Sequence, residues 1–160
     1  MQTIPVFGCF FVMCVTPLGA ADETDSDKLA RKAYLTFCQA YNKNELDGVM
    51  KVMDVPWLEL GKPVVKDRIE LQKIWKKLLA DRSVESLPWT KFKVEPMSVL
   101  REAAKGNKDF LTKLERLGLT KEDRAVVDGI MIFIVRVRKG EAKILGGYPL
   151  GLKIHGKIFP

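Results

Sequence analysis

Apolar residues recur at three- and four-residue spacing over residues 27–42. Ala30, Ala33, Tyr34, Phe37, Cys38 and Tyr41 share one side, and Lys28, Arg31, Lys32 and Gln39 fall elsewhere. That spacing predicts an amphipathic helix, broken at Asn42-Lys43-Asn44. Leu46, Val49, Met50 and Met53 predict a short helix over 45–53, ended by Pro56. Residues 57–60 then read as a short strand before the Gly61-Lys62-Pro63 turn. Asp67, with Glu70 three positions on, opens a third helix in the manner of a capping box. Its expected buried side is Ile69, Ile74, Trp75, Leu78 and Leu79, fading by Arg82.

The period changes after Pro88. Thr90, Phe92 and Val94 alternate with Lys91, Lys93 and Glu95, which predicts a half-buried strand over 89–100 interrupted at Pro96. Residues 102–117 return to helical spacing through Phe110, Leu111, Leu114 and Leu117, with Gly118 as the stop. The strongest strand signal is 125–137. Within it, 130–135 is continuously apolar and rich in β-branched residues, so a central strand covered on both faces is expected. Lys139-Gly140-Glu141 is a turn, 142–145 continues the hairpin, and 146–149 breaks it. A last tight hairpin turns at His155-Gly156.

The N-terminal pattern is different in kind. Residues 1–21 carry no charged side chain, and the apolar run 4–15 is too short to span about 30 Å of hydrocarbon. Gly19-Ala20-Ala21 then places small residues at a cleavage position before Asp22, so 1–21 reads as a signal peptide and the protein as exported. An uncleaved N-terminal membrane anchor is the minority reading. Residues 22–27 form an acidic leader with Asp22, Glu23, Asp25 and Asp27.

Composition narrows the classes. At 160 residues and 47% apolar, the chain suits one domain and excludes wholesale disorder. A single His excludes a multi-histidine metal site, and no metal or cofactor is expected. Of three Cys, Cys9 and Cys14 leave with the signal, so Cys38 stands alone on an apolar helix side, where a thiol is ordinarily core. The net charge of +7 arises wholly after the signal, with Arg136, Arg138 and Lys143 placed to share one face of a hairpin. Such a stripe would attract an anionic surface; without interleaved aromatics it does not point to nucleic acid.

The stretch 37–50, Trp57-Leu58-Glu59-Leu60-Gly61 with the following helix, and Ile154-His155-Gly156-Lys157-Ile158 together resemble the NTF2-like superfamily, including its SnoaL-like members. Ile158 stands where that closing turn often carries Trp, and the segment 102–124 is a departure. The resemblance implies an α+β domain over 28–160, with N-terminal helices packed on a curved, mainly antiparallel sheet that forms a cone. It further implies a ligand between helices and sheet, and often a homodimer through the outer sheet face.

Within such a cone, Asp128 is the candidate general base and Tyr34 or Tyr41 the oxyanion donor, an arrangement for cofactor-free isomerase, dehydratase or hydrolase chemistry. The competing reading of Asp128 is a solvated or Lys/Arg-paired residue at a strand start. Phe37, Trp57 and Trp75 are the candidate lining for a small apolar ligand. His155, in a turn, reads as a surface residue. Three functions remain open: a small-ligand-binding or interaction module, an acid/base enzyme, or an envelope protein docking through its basic hairpin. The export reading predicts that the chain expressed with its leader yields a mature protein beginning at Asp22. Intact-mass measurement of the exported fraction checks this, and an unprocessed mass overturns it.

Overall fold

Helix α1 (Asp25–Asn42) begins two residues before its apolar spacing does, inside the expected acidic leader. Thr24 caps it through a reciprocal capping box with Asp27. Arg124 pairs with the same carboxylate, and the Ser26 hydroxyl donates to Glu122 at 2.7 Å, so the first turn is tied to the start of a distant strand. The computed structural model describes residues 23–81 and 91–150, together with the backbone of 153–154 and 157–158. The expected signal, His155 and Trp89 lie outside the described residues.

After α1 come α2 (Leu46–Val52), β1 (Met53–Glu59), α3 (Arg68–Asp81), β2 (Lys93–Pro96), α4 (Met97–Ala103) and α5 (Lys108–Glu115). Strands β3 (Arg124–Val127), β4 (Met131–Arg138) and β5 (Glu141–Pro149) follow. The five form one sheet in the order β1-β5-β4-β3-β2, with β1 parallel to β5 and the other neighbours antiparallel. β6 (Lys153–Ile154) and β7 (Lys157–Ile158) pair separately. Helices on a mixed, mainly antiparallel sheet make this an α+β fold.

Several local expectations change. Ser98 to Leu100 are helical, not strand: Pro96 ends β2 and stands at the N-cap of α4, burying Met97 and Leu100. Residues 102–117 are not one helix: α4 ends at Ala103, and Asn107 starts α5 by accepting from the Phe110 amide at 2.9 Å. The apolar run 125–137 is two strands, folded back at Asp128 and Gly129, the latter at φ +91°. On α3 the buried row is Leu71, Trp75 and Leu79, one turn apart, and Ile69 is 63% exposed.

The central strand is covered on both faces, as its composition predicts. Phe133 and Val135 pack with Tyr34 and Phe37 of α1, and Ile132 and Ile134 pack with Leu100, Phe110 and Leu114 of α4 and α5. Helices α4 and α5 therefore cover this part of the sheet face opposite α1.

Residues 146–149 continue β5 rather than breaking it. Ile144 opposes Val135 and Gly146 opposes Ile134, so Leu145 is the extra residue of a bulge. Gly146 also pairs with Leu58 of β1, at φ +139°, and a Cβ there would stand 1.8 Å from the Leu58 carbonyl oxygen. Only glycine permits that approach. Gly146→Ala is expected to destabilise the domain by about 3 kcal/mol or more, read as a lowered urea midpoint. An unchanged midpoint overturns this account of the β1–β5 pairing.

Candidate functional site

The buried row of α1 delivers Tyr34 to the tip of the β3–β4 hairpin, where its hydroxyl donates to Asp128 Oδ2 at 2.7 Å. Asp128 is neither solvated nor paired with a Lys or Arg; it is 5% exposed. Its other oxygen, Oδ1, accepts from the Ile130 and Met131 amides at 2.9 and 2.8 Å, the local pattern by which Asp closes a tight turn. The Tyr34 ring lies 4.7 Å from Phe92 and 5.4 Å from Phe133, centroid to centroid. Burial, reinforced by the Asp128 contact, drives the Tyr34 phenol far above its ordinary pKa, so it remains a protonated donor. Burial likewise pushes the neighbouring Cys38 up to about 11, which keeps it a thiol at neutral pH.

Of the two candidate tyrosines, only Tyr34 meets Asp128. Tyr41 lies two turns further along α1, its ring 5.9 Å from Phe37 and 6.5 Å from Trp75. A carboxylate has about four acceptor positions, and three at Asp128 are taken by donors of the chain itself. A general base needs a lone pair aimed at a substrate proton. The three contacts close the hairpin and fasten it to α1, as a latch would.

The three candidate pocket residues do come together. Trp75 stands 5.5 Å from Phe37 and 5.6 Å from Trp57, both edge-on. The Trp75 indole nitrogen is buried and has no hydrogen-bond partner among the described residues. Indole is a donor only, and an unsatisfied buried donor costs about 1–3 kcal/mol. Nothing in the sequence marks this atom, because its isolation depends on which neighbours surround it.

Arg136, Arg138 and Lys143 also share a face, lining a cleft of about 370 Å³ with Asp54, Glu141 and the Leu117-Gly118 loop. The two arginines are paired with carboxylates of the chain itself. Arg136 donates to Asp54 at 2.8 Å, and Arg138 grips the buried Asp123 with both terminal nitrogens. Asp123 also accepts from the Val137 and Thr120 amides. Lys143 donates to the Lys51 carbonyl at 2.9 Å. Sequence reasoning passed over Asp54 and Asp123, although the Thr120-x-x-Asp123 spacing is itself a turn-capping signal. Among the described residues, no group of three His, Cys, Asp or Glu side chains is placed to hold a metal ion.

No family model matches the chain, and no curated protein matches it. Among solved structures it is similar to an LEH-like epoxide hydrolase of M. tuberculosis. The identity is 11%, the match covers 76% of this chain and 79% of that one, and the TM-score is 0.38.

If Asp128 is a latch, Asp128→Ala is expected to lower stability by about 3 kcal/mol and Tyr34→Phe by about 1 kcal/mol. Urea unfolding measures both. A gain in stability on losing Asp128, the usual response of a strained catalytic group, would overturn the latch.

Proposed function

We propose that the domain is a non-catalytic binding module for a small, mainly apolar ligand that carries one hydrogen-bond acceptor, within an exported protein. The observation behind this reading is the orphaned Trp75 indole N–H in the ring cluster of Phe37, Trp57 and Trp75. A ketone, ester or ether oxygen would satisfy that donor while the rings cover the hydrocarbon part, the usual division of labour in a small-molecule site. The three chain donors already held by Asp128 support binding over turnover. Export rests on the apolar run and small-residue cleavage pattern of 1–21.

A second reading is an acid/base enzyme in which Asp128 takes a proton and Tyr34 stabilises the resulting oxyanion. The buried 2.7 Å contact between them favours it, and it requires the remaining acceptor position of Asp128 to reach the substrate proton. Titrating the mature chain with acetophenone and with ethylbenzene, and following the indole ¹⁵N–¹H signals, tests the binding reading. The ketone is expected to shift the Trp75 indole resonance and to bind about tenfold more tightly than the hydrocarbon. The preference should vanish in Trp75→Phe. A static Trp75 signal, or equal binding of the two probes, overturns the proposal.

A further inference from the structure

Beside its buried row, α1 carries a second strip in which Leu29, Lys32, Ala33 and Thr36 follow one another at helical spacing. The strip forms one wall of a cleft of about 280 Å³, and the end of α2 (Lys51, Val52) and the start of β5 (Ala142, Lys143) form the other. This cleft is separate from the Tyr34–Asp128 contact and from the Trp75 indole, and uses none of their polar groups.

Its lining divides cleanly by chemistry. Leu29, Ala33, Val52 and Ala142 are buried or half-buried and make an apolar floor. Lys32 and Lys51 are exposed at the rim, and neither forms an ion pair among the described residues. Lys143 adds a third ammonium group, held over the cleft by its hydrogen bond to the Lys51 carbonyl. The opposing charge is Glu141, whose side chain is 75% exposed and 3.9 Å from Lys143. A concave surface with uncompensated cations over an apolar floor concentrates anions that bring hydrocarbon with them.

We propose that this cleft binds an anionic amphiphile, a monocarboxylate on a short hydrocarbon chain. The carboxylate lies between the Lys32 and Lys51 ammonium groups, and the tail covers Ala33, Val52 and Ala142. The modest excess of positive charge suits a single negative charge, and each methylene buried on the floor adds roughly fourfold in affinity.

The test uses the ¹⁵N-labelled mature chain with octanoate, with octanol as the uncharged tail and acetate as the tailless anion. Octanoate is expected to shift the Ala33, Val52 and Ala142 amides and to bind at least about tenfold more tightly than either control. Lys32→Gln/Lys51→Gln is expected to weaken octanoate about tenfold while octanol binding is unchanged. Both lysines are exposed and unpaired, so the variant should keep the wild-type amide spectrum elsewhere. Octanol binding as well as octanoate overturns the anionic requirement, and acetate doing so overturns the amphiphile. Shifts at the Trp75 indole with none in the cleft assign the ligand elsewhere and overturn the site.

Discussion

Strand β4 carries no charged side chain from Met131 to Val135, and its alternating positions on both faces are large and apolar, so the sheet is stable only with a helical layer on each side. α1 supplies one layer through Tyr34 and Phe37, and α4 with α5 supplies the other through Leu100, Phe110 and Leu114. Two features of the sheet serve that arrangement. Ile144 and Leu145 face opposite layers by ordinary strand alternation, and the bulge at Leu145 brings Gly146 opposite Ile134. Gly146 lets β1 close against β5 at a distance no other residue allows. Helices α4 and α5 are thus part of the core and not an appendage.

The same demand for coverage decides what the polar groups can do. Asp128 is carried into the interior by the hairpin it closes, and a carboxylate there persists only when its oxygens are supplied with donors. Tyr34 and two backbone amides meet that need. Buried Asp123 lies under Arg138 for the same reason, and half-buried Asp54 pairs with Arg136, which neutralises two of the three charges of the basic stripe. Trp75 is the exception, a buried donor with nothing to donate to among the described residues. The carboxylate holds three donors of the chain and the indole holds no acceptor among the described residues.

Particular elements show why some of this was legible. The helical spacing of Ala30, Tyr34, Phe37 and Cys38 and the run 130–135 each report burial directly, because side-chain period is a property of the backbone. The misread boundaries share a different cause. Residues 98–100 alternate acceptably for a strand, and only the packing of Met97 and Leu100 on the sheet makes them helical. Residues 125–137 read as one strand because the turn at Asp128 depends on its side chain capping two amides. Tyr34 and Tyr41 are indistinguishable by spacing, and the hairpin's position along α1 chooses between them.

By itself the sequence determined the order of most elements, the two-sided burial of the central strand and the core role of Cys38. These follow from composition and period, which act over a few residues along the chain. The pairing of Tyr34 with Asp128, the neutralisation of Arg136 and Arg138, the isolation of the Trp75 indole and the covering of the sheet face opposite α1 were decided only by tertiary structure. Each depends on groups tens of residues apart arriving within a few ångströms of one another, and hydrogen bonds and ion pairs are set by that distance and not by spacing along the chain.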